Sequence, residues 1–277
     1  MISMKEKRDL KDVRAVFTDI DGTLLDSEER LSGENLKAIQ EVVNRGILMV
    51  FASGRSTRSI RNLFTGLDER NFNAIAFNGS EVTLRGEVVS RTMLDSATAS
   101  QIVRTVSEIN IHIHAYVDGE LVFSRMTPTA EKYAIHTGLE PIIAGDLAGY
   151  LQEHPPIKLV VLSESDYLPS LKEKLTGQFA GVSFTRSGGI YLDITCSNVD
   201  KGRGLIEICK REGIAPENTV AFGDSDNDIE MLKAAGLSVA MSNGSEEVRR
   251  VATAKTASND ENGFSKMIRK LLRNLTP

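Results

Sequence analysis

The stretch Val13-Arg14-Ala15-Val16-Phe17-Thr18-Asp19-Ile20-Asp21-Gly22-Thr23-Leu24-Leu25 decides how this chain is read. Its first half, Val13 to Phe17, has the β-branched and aromatic content of a buried strand. The run then ends in two carboxylates, Asp19 and Asp21, and turns at Gly22. Like charges held this close resist joint ionisation, and a cation between them removes that cost. The pair therefore points to a metal site at the carboxyl edge of a sheet, where open α/β folds bind ligands. The plainer alternative is an Asp-Gly turn after a strand.

Outward from this stretch, Ser32 is a fitting N-cap for a helix in which Leu36, Ile39, Val42 and Val43 recur at helical spacing, with Gly46 at its C′ position. Ile47 to Phe51 reads as a second buried strand that stops at Ala52-Ser53-Gly54-Arg55. A helix from about Thr57 to Phe64 and a third strand, Asn73 to Phe77, come next. Near-continuous apolar strands alternating with helices predict an α/β fold with a Rossmann-like parallel sheet covered on both faces.

The rhythm changes at residue 85. Hairpins are expected around Arg85-Gly86 and Asp118-Gly119, with an amphipathic helix over Ser96 to Ile109 between them. A helix from Pro128 to His136, a loop-rich stretch through Pro155-Pro156, a strand Ile157 to Leu162 and a helix Tyr167 to Gln178 follow. Two more strands, Val182 to Arg186 and Ile190 to Thr195, close the block. We read residues 85–195 as an inserted α+β domain and residues 1–84 and 196–277 as one α/β core. The core resumes with a helix marked by Leu205, Ile206 and Cys209 and a strand Thr219 to Phe222, which stops at Gly223-Asp224-Ser225-Asp226-Asn227-Asp228. Phe264, Met267, Ile268, Leu271, Leu272 and Leu275 form the apolar stripe of a last core helix.

At 277 residues, 41% hydrophobic and 26% charged, the chain has the makings of a soluble globular protein. A net charge of −5 argues against a broad nucleic-acid surface but leaves room for a small anion pocket. The longest apolar run, Ile47 to Ala52, is too short to span a bilayer, and the charged Met1 to Asp12 is no secretory signal. Cys196 and Cys209 form no Cys-x-x-Cys pair, which favours a reducing compartment. The expected location is cytoplasmic, with no membrane partner. Nothing in the sequence sets the oligomeric state.

In a parallel sheet the strand ends Asp19/Asp21, Ser53-Gly54-Arg55 and Gly223 to Asp228 fall on one edge, with Lys201 opening a helix nearby. The chemistry these groups can do together is phosphoryl transfer. Asp19 can attack phosphorus and form an aspartyl-phosphate. Asp21 can protonate the leaving oxygen and later activate water. Ser53, at a helix entrance, offers a hydroxyl and N–H donors to phosphoryl oxygens, and Lys201 offsets developing negative charge. Asp224 is a hard ligand suited to Mg²⁺, Asn227 could donate to phosphate, and Asp228 could orient ligands.

These motifs, in order, resemble the four motifs of the haloacid dehalogenase-like (HAD) superfamily, and most closely its Cof-type phosphatases of subclass IIB. The resemblance covers essentially the whole chain, including the insertion, where that subclass carries a cap. It implies a phosphatase acting on a small phosphorylated metabolite, with sugar phosphates first. It further implies Mg²⁺ on Asp19, the backbone carbonyl of Asp21, and Asp224, with Ser53 and Lys201 holding phosphate. Gly22, Gly54, Arg55 and Asn78, the last in an Asn78-Gly79-Ser80 run like the family's Asn-Gly-Ala, complete the phosphate-binding set. A phosphomutase of the same superfamily and a non-catalytic phospho-metabolite-binding protein are the alternatives.

An EF-hand from Asp19 fails because Leu24 and Arg30 stand where glycine and glutamate are needed. His112 and His114 read as one face of a half-buried strand, most simply its solvent face. Arg58 and Arg61 read as a solvated helix face, and Arg186 with Ser187-Gly188-Gly189 as a guess for specificity.

Overall fold

Strand β1 (Ala15–Asp19) is buried along its whole length. The computed structural model describes residues 12–163, 166–187 and 190–274. In chain order, β1 is followed by the helix Gly33–Asn44, β2 (Leu48–Ala52), the helix Thr57–Leu63, β3 (Ala74–Ala76), β4 (Glu81–Leu84) and β5 (Glu87–Arg91). Strands β6 (His112–Val117), β7 (Glu120–Phe123), β8 (Pro141–Ile143), β9 (Lys158–Leu162), β10 (Val182–Ser187) and β11 (Tyr191–Cys196) come next, with helices Ser96–Glu108, Pro128–Thr137, Leu147–Glu153 and Leu168–Thr176 among them. The chain then runs through the helix Lys201–Glu212, β12 (Thr219–Gly223), the helix Ile229–Ala234, β13 (Leu237–Ala240), the helix Glu246–Val251, β14 (Ala254–Lys255) and the helix Gly263–Asn274.

These elements divide into two compact units: one up to Arg55, Ile60–Val89 and from Asp200 onward, the other Ser56–Ser59 and Ser90–Val199. The first is built on an eight-stranded sheet of order β14-β13-β12-β1-β2-β3-β4-β5. Its register sets Thr18 opposite both Phe51 and Phe222, so β1, β2 and β12 end level with one another. On one face Phe17, Val50 and Ala221 pack with Leu205, Ile208 and Met231. On the other, Phe51 stacks on Phe64 at 3.9 Å and Phe222 meets Phe264 at 4.9 Å. Cover on both faces is why these strands carry unbroken apolar runs.

The second unit has a six-stranded sheet of order β10-β11-β9-β6-β7-β8. One face buries Ile113, Ala115, Val161 and Ile194 against Ile102, Val103 and Val106 of the helix Ser96–Glu108. Strand alternation turns His112, His114 and Tyr116 to the opposite face.

Several expectations need correction. Strand β5, counted with the insertion from residue 85, belongs to the eight-stranded sheet, because the Arg85-Gly86 turn folds it back beside β4. The sheet is also not wholly parallel, since β4 runs antiparallel to β3. The expected loop before Pro155 holds β8 and the helix Leu147–Glu153. Each is too short to show periodicity, and β8 forms by parallel pairing with β7. Strand β3 ends at Ala76, because Phe77 and Asn78 take φ of 50° and 55°. Leu36 and Ile206 are exposed, lying off the buried stripes of their helices.

His114 is fully buried rather than solvent-facing, enclosed by Phe123 and by Tyr133 of the helix Pro128–Thr137. Arg61 is packed over the Phe72 ring at 4.6 Å and paired with Glu69, not simply solvated. Both cysteines are free thiols. Among the described residues no helix is long and apolar enough to cross a membrane. Met1 to Lys11, Gly188, Gly189 and Leu275 lie outside the described residues.

Candidate active site

The site grows from the end of β1. Asp19 is the strand's last residue and is only 4% exposed, whereas Asp21 stands at the surface. Between them the chain turns sharply, with the N–H groups of Leu24 and Leu25 donating to the Ile20 carbonyl. Gly22 makes the turn with φ +80°, and a Cβ there would sit 2.5 Å from Asp224 Oδ2. Only glycine satisfies both demands.

Lys201 is the first residue of its helix, which Asp200 caps through the Arg203 N–H. Its ammonium is fully buried and donates to Asp19 Oδ1 at 2.5 Å and to Asp228 Oδ1 at 2.6 Å. Burial works to discharge this lysine, but Asp19 and then Asp228 outweigh it and hold its pKa above the ordinary value. The other Asp228 oxygen accepts the N–H groups of Asp224 and Ser225, both at 3.0 Å. Asp228 is thereby committed to orienting Lys201 and the loop that bears Asp224.

Asp224 is held at both oxygens as well, by Thr23 Oγ1 and Ser225 Oγ at 2.9 Å each. Ligand oxygens of Asp19, Asp224 and Asp228 lie within 4.8 Å of one another. Three carboxylates thus crowd one ammonium. Burial, then the charges of Asp228, Asp224 and Asp21, push the Asp19 carboxyl well above the usual range, and Lys201 offsets only part of this. Asp224 is raised by burial and by Asp228. Asp19 Oδ2 is buried and has no hydrogen-bond partner. An unpartnered buried carboxylate oxygen amid excess negative charge fits a hard divalent cation.

The loop after β2 is tied to the end of β3. The Ser53 N–H donates to the Ile75 carbonyl at 2.9 Å, and the carbonyls of Ser53 and Arg55 accept from Asn78 and Phe77 at 3.0 and 2.9 Å. Gly79, at φ +105°, lets this turn meet the Asp200 carbonyl, which a Cβ would approach to 2.3 Å. Ser53 precedes the helix Thr57–Leu63 rather than opening it, so its donors come from the loop. Its hydroxyl accepts the Arg55 N–H at 3.1 Å and lies 3.4 Å from Asp21 Oδ2. Gly54 sits between them. The Arg55 guanidinium grips both oxygens of Asp21. Asn227 spends its amide N–H on Asn78 Oδ1 at 3.0 Å, and its own oxygen is buried without a partner.

The structure therefore brings Asp19, Lys201, Asp224 and Asp228 into one cluster and binds Asp21, Ser53 and Arg55 into a second. Sequence reasoning missed Thr23, Ser225 and Asn243. Thr23 follows the Asp-x-Asp-Gly turn directly, and a hydroxyl there was the available signal. Asn243, whose amide donates to the Gly22 carbonyl at 2.8 Å, lies 221 residues from its partner and gave none.

A family profile described as haloacid dehalogenase-like hydrolase matches residues 16–268. The Bacillus subtilis (strain 168) protein 5-amino-6-(5-phospho-D-ribitylamino)uracil phosphatase YwtE is 30% identical over 289 residues, which cover 94% of this chain and 98% of that protein. The crystal structure of TM0651 from Thermotoga maritima is 32% identical, with a TM-score of 0.84 over 93% of this chain and 97% of that one. The HAD subclass IIB sugar phosphatase BT4131 shares the fold at a TM-score of 0.81 and 23% identity, over 93% of this chain and 98% of that one.

Proposed function

This chain belongs to the haloacid dehalogenase-like hydrolases, and on that premise we propose that it is a Cof-type, subclass IIB phosphatase that hydrolyses a phosphomonoester of a sugar or polyol through phospho-Asp19, with Mg²⁺ as cofactor. The observation that carries this reading is Asp19 itself. Its Oδ1 is anchored on a buried lysine while Oδ2 is left without a partner at a strand end. In a structural ion pair both oxygens would be satisfied.

Asp19 attacks phosphorus as the bond to the leaving oxygen breaks, and Asp21 gives its proton to that oxygen. Water then attacks phospho-Asp19, Asp21 takes the water's proton, and phosphate departs with Asp19 restored. Lys201 and the Ser53 loop hold the phosphoryl oxygens. Bound by Asp19, the Asp21 carbonyl and Asp224, Mg²⁺ supplies the positive charge that lets these carboxylates and a phosphate share one site.

The substrate class draws on two relatives: YwtE is named for a phosphoribityl ester, and BT4131 for sugar phosphates. We assign the contacts that select among such esters to the second unit, whose inserted part is Ser90–Val199, and the chemistry to the first. We place its action in the cytoplasm, a compartment that keeps free thiols such as Cys196 and Cys209 reduced.

Phosphate release from a panel of phosphomonoesters, with and without Mg²⁺, tests the reading. The highest kcat/KM is expected for a sugar or polyol phosphate, and rapid quench is expected to trap one phosphoryl group on Asp19. Turnover that survives chelation of Mg²⁺, or a panel in which no sugar or polyol ester is hydrolysed, overturns it.

A further inference from the structure

Sequence reading placed Arg55 among the phosphate-binding groups, but its guanidinium lies on Asp21. Nε donates to Asp21 Oδ2 at 2.9 Å and Oδ1 at 3.1 Å, and Nη2 donates to Oδ1 at 2.5 Å. The Asp21 side chain is 47% exposed and the Arg55 side chain 20% exposed. A half-exposed carboxylate at the end of a turn would otherwise rotate freely about both of its χ angles. Arg55 has a fixed base from which to restrain it. Its N–H is held by Ser53 Oγ, and its carbonyl accepts from Phe77, whose φ of 50° is an unusual conformation for an aromatic residue. Glu29 Oε2, 3.8 Å from Nη2, supports the guanidinium from another side. A carboxylate offers about four acceptor sites, so contacts to one arginine fix its plane and leave other sites for a proton.

We infer that Arg55 is a positioning residue that acts through Asp21, holding its carboxylate in the orientation needed to hand a proton to the leaving oxygen, rather than a residue that grips phosphate. Arginine suits this task because its planar fork spans both oxygens, which a lysine ammonium cannot do. The inference rests on the proton-transfer role proposed for Asp21.

Two esters separate the roles. Nitrophenolate leaves without needing a proton, whereas an alkoxide needs one as the P–O bond breaks. For Arg55→Ala, kcat/KM is expected to fall about 100-fold on the alkyl phosphate that the wild type turns over fastest, and less than about tenfold on p-nitrophenyl phosphate. Arg55→Lys, which keeps the charge and preserves the fold if the alanine variant is unstable, is expected to show the same selectivity to a smaller degree. The inhibition constant of inorganic phosphate is expected to stay within about twofold of wild type. Asp21→Asn calibrates the measurement, and adding Arg55→Ala to it is expected to cause little further loss. Equal losses on both esters with weakened phosphate inhibition, or additive losses in the double variant, overturn the inference. An unselective Asp21→Asn overturns the Asp21 role and this inference together. A selective Asp21→Asn beside unselective Arg55 variants overturns the Arg55 assignment alone.

Discussion

Each of the two units buries a lysine against aspartate, and the two clusters differ in how their charges balance. In the first unit, Lys201 serves both Asp19 and Asp228, Asp224 stands close by, and one Asp19 oxygen is left over. In the second, Lys158 pairs with Asp193 at 2.6 Å, with both side chains about 5% exposed. Around this pair the polar groups are neutral: Tyr116 and Tyr133 share a hydrogen bond at 2.9 Å, and His112 Nε2 meets His114 Nδ1 at 3.1 Å. Burial, with smaller contributions from His112 and Lys158, depresses the pKa of His114 well below that of free histidine, which keeps it neutral. A balanced buried pair is a structural element. An unbalanced one keeps a standing electrostatic debt that a ligand can relieve, and this supports the proposal that the first cluster is the place of chemistry.

The sharpest break in this contrast is Asp19→Asn. It should lower turnover by about 10⁴-fold or more, since the proposed nucleophile is lost. It should also raise the metal-free melting temperature, because the amide removes a buried charge that the fold only partly compensates. A fall in that temperature would mean that the first cluster is balanced after all.

Lys158→Met should behave oppositely. It leaves Asp193 buried and unpaired, at a cost of about 3–5 kcal/mol in unfolding free energy measured by urea titration. Adding Asp193→Leu should recover most of that loss, as expected when both partners of a buried pair become apolar.

Thr23→Val tests a smaller part of the first cluster. The hydroxyl that orients Asp224 is lost, and Mg²⁺ affinity measured by calorimetry should weaken about 10- to 100-fold. An unchanged affinity would show that Ser225 suffices to hold Asp224.

The smallest effect is one of pH. His114 has a folded-state pKa depressed below the ordinary value, so the unfolded chain binds the extra proton first. Its stabilising contribution is full above about pH 6.5 and is lost as pH falls toward the folded value, with a limiting slope of about 1.4 kcal/mol per pH unit. His114→Gln should flatten the decline of the urea midpoint between neutral and mildly acidic pH. If the variant keeps the wild-type slope, His114 is not the group that titrates.

How much could be read from the sequence differed between the clusters for the same physical reason. Asp19, Asp21, Lys201 and Asp224 sit at strand ends and a helix start, where a charge interrupts an apolar run and stands out. Lys158 and Asp193 sit inside strands, at positions that a solvent-facing alternation would also assign to polar residues. The helix Pro128–Thr137, whose Tyr133 packs against His114 and Tyr191, covers that face of the sheet where alternation alone would leave it open. The short elements β8 and Leu147–Glu153 were missed because their local signal is weak and tertiary pairing stabilises them.

By itself the sequence determined the alternation that yields a buried parallel sheet, the ends of its central strands, and the carboxylates placed there, to which we assign the chemistry. These follow from local composition and from the rule that level parallel strands present their carboxyl ends on one edge. What the tertiary structure decided was partnership. Arg55 lies on Asp21, Asp228 serves Lys201, Thr23 holds Asp224, and Asn243 braces Gly22 from the far end of the chain. Such pairings depend on distances between side chains that are remote in sequence, and on which polar atoms remain unsatisfied once the backbone has closed. No local pattern records them.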